Sequence, residues 1–273
     1  MNVRSVLFSG VAGAWLASAA FAAAPADPEK SLQCSGRMSD TRNRVCEMKE
    51  IPLPATGRLT VNAAPNGGIS VRGWTRAEVL VRARIEAWGD SDADARATLA
   101  QVRVNTAGNS VEAEGPKQWG QQRWSVTYEV FAPERTDLNL RTVNGGLSAA
   151  DLRGNIEMTT SNGGLKLARL AGRVKADTTN GGVSVELTGQ TWDGESLEVS
   201  TTNGGVSLEV PAAYNARIEA RTTNGGMSSD LPAQISGKSW GPKSMSIQSG
   251  AGGPMIKVVT TNGGVRVRQK KSV

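Results

Sequence analysis

Apolar and polar residues alternate with period two along most of this chain. Leu165 and Leu167, Val183 and Val185, Val206 and Leu208, and Val265 and Val267 are pairs one residue apart, each just after a glycine pair. The segments that return toward the next glycine pair alternate likewise: Ile156 and Met158, Val174 and Ala176, Leu197 and Val199, Ile218 and Ala220, Ile256 and Val258. Successive side chains of a strand point to opposite faces, so the pattern predicts short strands with one dry and one wet face. Glu157, Lys175, Glu198, Glu219 and Lys257 fall on the wet face. Ser91 to Val102 breaks the pattern: it is Ala-rich, with Asp92 and Asp94 near its start. It predicts one short helix capped by Asp90 or Ser91.

A repeated corner separates the strands. Asn-Gly-Gly occurs seven times, at Asn66, Asn144, Asn162, Asn180, Asn203, Asn224 and Asn262. In the last six copies Thr stands two residues before the Asn (Thr142, Thr160, Thr178, Thr201, Thr222, Thr260). Leu152-Arg153-Gly154 and Leu170-Ala171-Gly172 lie midway between corners and split an 18-residue period into halves of about nine. Two arrangements fit. Asn-Gly is a strong signal for an antiparallel hairpin turn. It equally suits the corner of a solenoid, where equivalent residues stack coil upon coil. The near-constant period favours stacking, because each corner must present one shape to the next. In a stack the Asn side chains bond in a ladder and the Thr row lines the core edge. The paired glycines allow positive φ and close backbone approach.

The predicted class is therefore all-β: a β-solenoid with coils of about 18–23 residues and one short helical insert. Residues 136–268 hold the regular coils, and 51–135 a divergent version. GQTWDGE (189–195) and the segment around Pro211 to Asn215 lengthen two coils. Residues 225–259 hold either an extra degenerate coil or an insertion. The final strand near Val265 to Arg268 is expected at an exposed end, with Lys270 and Lys271 discouraging end-to-end pairing.

The start of the chain changes the compartment. Arg4, the apolar run Ser5 to Phe21 and the small-x-small Ala20-Phe21-Ala22 have the form of a secretory signal, with cleavage expected after Ala22. No second apolar run follows, so no transmembrane segment is expected after cleavage. Cys34 and Cys46 are the two cysteines. In an oxidising compartment they are expected to form a disulfide that pins an N-terminal extension, residues 23–50; a loop this short would contribute about 2–3 kcal/mol.

Charge and composition narrow the chemistry. The net charge of +6 comes from interspersed acids and bases, which is no nucleic-acid footprint, though it permits contact with anionic envelope glycans or lipids. The absence of histidine removes Ser-His-Asp and Cys-His sites and His-based metal centres. The glycine pairs precede no Lys-Ser/Thr and no helix, so they are not phosphate loops. Asp151, Asp177, Asp193 and Asp230 do not recur at one repeat position, which argues against calcium. No cofactor or metal is expected. Glu198 and Glu219 occupy equivalent positions of nearby coils. They could stand one strand spacing apart, about 4.8 Å, as a glycosidase-like pair, or belong to a solvated charge ladder. Trp192 and Trp240 lie in interruptions of the repeat and are the candidate contacts for an envelope glycan or protein partner, with coverage of coil corners as the plainer alternative.

The T-T-N-G-G-V corners, the opening G-R-L-T-V…N-G-G-I-S-V-R-G-W at Gly57 to Trp74 and the closing G-G-P-M-I-K-V-V-T-T-N-G-G-V resemble the bacterial β-strand-repeat family of candidate adhesins known as domain of unknown function 4097. The resemblance covers roughly residues 51–268. It implies an exported or envelope-associated β-solenoid-like fold and brings no catalytic residues. The expected function is a non-enzymatic, adhesin-like interaction module of the cell envelope, periplasmic or at the cell surface. The alternatives are a polysaccharide-acting enzyme on a β-helix scaffold, and a structural, stress-linked envelope protein without a dedicated ligand.

Overall fold

The computed structural model describes residues 32–34, 43–120, 122–238 and 240–270. The expected leader and most of the extension lie outside these residues. In the divergent part, β1 (Asn43–Pro54), β2 (Arg58–Asn62), β3 (Ile69–Trp74) and β4 (Glu78–Gly89) precede α1 (Asp92–Leu99). Then come β5 (Arg103–Asn105), β6 (Ser110–Glu114) and β7 (Arg123–Pro133). Ser91 caps α1, its hydroxyl accepting from the Asp94 amide at 3.1 Å. β1 pairs with β4 along its whole length, so this strand crosses the expected boundary between extension and repeat. It is an edge strand, and Pro52 and Pro54 remove amides that a second chain could otherwise bond.

Each regular coil is two strands joined by an Asn-Gly-Gly corner. The pairs are β8 (Asp137–Asn144) with β9 (Leu147–Ala150), and β10 (Arg153–Asn162) with β11 (Leu165–Ala168). Next are β12 (Ala171–Asn180) with β13 (Val183–Glu186), β14 (Ser196–Asn203) with β15 (Val206–Val210), and β16 (Ala216–Asn224) with β17 (Met227–Ser229). After β18 (Gln234–Gly237) and β19 (Lys243–Ser249), the last coil is β20 (Met255–Asn262) with β21 (Val265–Gln269). Equivalent strands pair in parallel and in register, Asn162 beside Asn144 and Asn180 beside Asn162. The corner is thus a solenoid corner and not a hairpin turn. The inward residues of both sheets, among them Ile156, Met158, Val174, Leu165, Leu167 and Val185, form one buried core.

The coils do not stack in chain order. In one sheet the order runs β12, β14, β20, β16; in the other β13, β15, β21, β17. The last coil is inserted between the two coils that precede it in sequence. Of the two alternatives for the long interval before it, the described residues hold an insertion and not a coil: β18 and β19 form an antiparallel hairpin, and β19 extends the sheet from β16. The expectation that Val265 to Arg268 ends the stack is therefore corrected. β21 is covered on both sides, by β15 and β17.

The corner chemistry explains the repeated Thr. Thr178 is buried and its hydroxyl donates to the Gly163 carbonyl of the neighbouring coil at 2.9 Å. Thr142, Thr160, Thr201, Thr222 and Thr260 make the same bond to Gly67, Gly145, Gly181, Gly263 and Gly204. Thr178→Val keeps the shape and removes the donor. It is expected to destabilise the fold by about 1–2 kcal/mol, with Thr178→Ser closer to wild type, as read by urea denaturation. Equal midpoints for all three proteins would show that the hydroxyl contributes nothing.

Candidate interaction surface

The two edges of the solenoid differ. At the Asn-Gly-Gly edge the seven Asn side chains form one amide ladder. Asn144 Nδ2 donates to Asn66 Oδ1 at 2.9 Å, Asn162 to Asn144 at 2.8 Å and Asn180 to Asn162 at 2.8 Å. Asn203 continues to Asn180, Asn262 to Asn203 and Asn224 to Asn262. The corners carry no charged residue. The opposite edge is ionic. Arg169 bonds both oxygens of Asp151, at 2.6 and 2.8 Å, and lies 3.4 Å from Glu186, which also accepts from Lys270 at 2.8 Å. Arg153 pairs with Asp193, and Arg173 with Glu195. The hydrogen bond from Arg173 holds the Glu195 carboxyl below the usual carboxylate range.

The outward row of the larger sheet bears on the enzyme alternative. Its register places Glu157, Lys175, Glu198, Lys257 and Glu219 side by side in that order. Lys257 comes last in sequence but stands between Glu198 and Glu219. These two carboxylates are therefore not one strand spacing apart; signs alternate along the row, which lowers the cost of five neighbouring charges. Asp137 and Glu157 line a shallow groove of about 690 Å³ on this face. Asp137 accepts from the Asn155 amide at 2.8 Å and Glu157 from Asn139 Nδ2 at 3.1 Å, and neither is buried.

The candidate tryptophans part company. Trp192 is only 3% exposed, and its indole N–H donates to the Gly172 carbonyl at 3.0 Å. It leaves no face for a ligand, so it is withdrawn as a contact. Trp192-Asp193-Gly194 is in fact another Leu-x-Gly corner. A Cβ on Gly172 would meet the Gly154 backbone, and one on Gly194 the Gly172 backbone, so the three glycines stack. Trp192 then takes the inward place of Leu152 and Leu170. Counting back from Gly194 would have revealed it. Trp192→Ala is expected to cost about 3–5 kcal/mol, seen as a lowered thermal midpoint. A change below about 1 kcal/mol would contradict this packing role. Nearby Tyr214 is also buried, which pushes its phenol up to about 12.

Trp240 is 91% exposed, at the tip of the β18–β19 hairpin. Trp119, which the repeat pattern did not single out, is 85% exposed. Cys34 and Cys46 form a disulfide that ties residues 32–34 to β1. Among the described residues no helix is long and apolar enough to cross a membrane.

The Toastrack DUF4097 family model matches residues 50–268, and the chain belongs to this family of β-solenoid-like repeats. Solved structures with similar arrangements include a candidate cell adhesion protein from Clostridium sporogenes, 13% identical, covering 83% of this chain and 100% of that one, with a TM-score of 0.42. A candidate adhesin from Bacteroides fragilis is 9% identical over 83% of this chain and 97% of its own, with a TM-score of 0.41. A candidate lipid binding protein from Parabacteroides distasonis is 10% identical over 83% and 97%, with a TM-score of 0.34. Likeness at this level says nothing about what this chain binds. No curated protein matches the sequence.

Proposed function

We propose that this chain is an exported, non-enzymatic solenoid that serves as an adhesin-like interaction module of the cell envelope. The observation that carries the reading is the exposure of Trp119 and Trp240, at 85% and 91%. A large apolar ring held in water is costly to keep solvated and gains when a partner covers it. The leader-like segment ending at Ala22 and the Cys34–Cys46 disulfide support export into an oxidising compartment. Against an enzyme stand the alternation of acids with Lys175 and Lys257 and the engagement of Asp151, Asp193 and Glu195 by arginines.

The test is sedimentation of the processed chain with washed cell envelopes, alongside a reducing-end assay on acidic polysaccharides. The proposal expects retention that falls with Trp119→Ala and Trp240→Ala, and no new reducing ends. Polysaccharide cleavage, or no retention at all, would overturn it.

A further inference from the structure

The two exposed tryptophans sit in the same tetrapeptide. Lys117-Gln118-Trp119-Gly120 and Lys238-Ser239-Trp240-Gly241 both read Lys-x-Trp-Gly. The described residues around each Trp lie between paired strand ends. Trp119 bridges to Gln122, with Gly120 at φ +58; Gly237 pairs with Lys243 and flanks the second turn, with Gly241 at φ +109. These φ values fall where glycine is favoured, and in both turns the glycine follows the Trp. Exposure is not general to the tryptophans of this chain. Trp124 and Trp192 are buried with their N–H groups on backbone carbonyls, and Trp74 lies against Phe131 and Arg76.

The topology places both turns at one edge. β6 runs parallel to β2, toward the Asn-Gly-Gly edge, and β7 starts from that edge beside β3; the Trp119 turn joins them there. β19 pairs with β16 so that Lys243 lies opposite Thr222, at the same edge, and its Nζ donates to the Gly225 carbonyl at 2.9 Å. The two tips therefore flank the Asn ladder, one beyond Asn66 and one beyond Asn224. Six spacings of about 4.8 Å separate those two Asn, so the tips stand more than about 29 Å apart. Between them lie Asn, Gly, Thr and Ser, with Val143 at one corner and no carboxylate in any corner. Lys117 and Lys238 are exposed beside the rings, and Arg123 is exposed behind the first.

We infer that the twin Lys-x-Trp-Gly tips and the uncharged corner edge between them form a docking face for an anionic phospholipid bilayer. The inference rests on the interaction-module reading and names its partner. An indole with an apolar body and a polar N–H settles at the headgroup level, and a neighbouring Lys is drawn to anionic lipid. Two such anchors on one rigid body reach a plane together, so the second insertion is intramolecular. The corners carry no carboxylate; Glu114, exposed at the end of β6, lies opposite Arg103 and is outnumbered at the first tip by Lys117 and Arg123, whereas the opposite, ionic edge would carry Asp and Glu onto the plane. Sugar recognition needs convergent polar groups around a ring; two tips this far apart build no such pocket.

The test is co-sedimentation of the processed chain with vesicles of phosphatidylcholine alone or mixed with phosphatidylglycerol. Trp emission is recorded, and a soluble anionic polysaccharide is added as competitor. Binding is expected on the phosphatidylglycerol vesicles only, weakened by salt and accompanied by a blue shift. Each of Trp119→Ala and Trp240→Ala is expected to weaken it about tenfold, and the pair about a hundredfold. Lys117→Glu with Lys238→Glu should abolish it. Because these side chains are exposed, thermal midpoints should stay at the wild-type value, which separates lost docking from lost folding. Equal binding by wild type and the double Trp variant, equal binding to neutral vesicles, or displacement by the polysaccharide would overturn the inference. If vesicles fail while envelope retention still depends on Trp119 and Trp240, the bilayer is the wrong partner and the module reading stands. If both fail, both fall.

Discussion

Removal of the last coil, by ending the chain after Gly253, is expected to abolish a single cooperative transition and yield aggregates or a partly unfolded protein. In a solenoid stacked in chain order, the same deletion would trim one end repeat. Here it empties a slot in the middle. β14 and β16 lose the strand between them, as do β15 and β17, so four strands gain unpaired edges. Ile256, Val258, Val265 and Val267 are buried, and each such side chain contributes about 1.5–3 kcal/mol. The gross loss, roughly 6–12 kcal/mol as an upper bound, rivals the whole stability of an ordinary domain. Urea denaturation with size-exclusion chromatography checks it. A monomer with a wild-type midpoint would contradict the inserted coil.

Gly163→Ala is expected to cost about 3 kcal/mol or more, a fall of roughly 6–12 °C in thermal midpoint, while Gly226→Ala costs under about 1 kcal/mol. A Cβ on Gly163 would lie 2.5 Å from the Gly145 carbonyl carbon and closer still to its oxygen. Those atoms are backbone of the neighbouring coil and cannot rotate away. The second glycine of the same corner is less constrained, its Cβ meeting the Gly182 oxygen at 3.3 Å, and Gly226 has nothing within 4 Å. Stability should thus fall in the order Gly226→Ala, Gly164→Ala, Gly163→Ala. Equal effects at the three sites would mean that coil spacing is not what demands the first glycine. It is this closeness, and not a positive φ, that demands glycine at the first position, since none of these three glycines is in the positive-φ region.

Lys257→Glu probes what places the last coil. It would set three carboxylates in a row with Glu198 and Glu219. The expected cost is about 0.5–1 kcal/mol at low salt, vanishing at high salt. A salt-independent change would assign the effect to packing.

The sequence by itself determined the coil. Period-two alternation set the strands, the Thr and Asn positions set the two ladders, and the Ala-rich stretch after Ser91 set the helix. Each depends on residues within one repeat, so each is visible locally. Tertiary structure decided what lies between repeats. Six nearly identical corners bond to any neighbour equally well, because their ladders use backbone and Asn groups that every copy shares. Which coil stacks on which is then left to the outward charges, where Lys257 fits between two glutamates, and to the long hairpin-bearing connection that lets the chain return. The same limit hid the role of two tryptophans. Trp192 looked like a loop residue because its insertion obscured the Leu-x-Gly phase that buries it. Trp119 has no local mark that sets it apart from the other tryptophans, because only the stacking of the coils carries it to the edge it shares with Trp240.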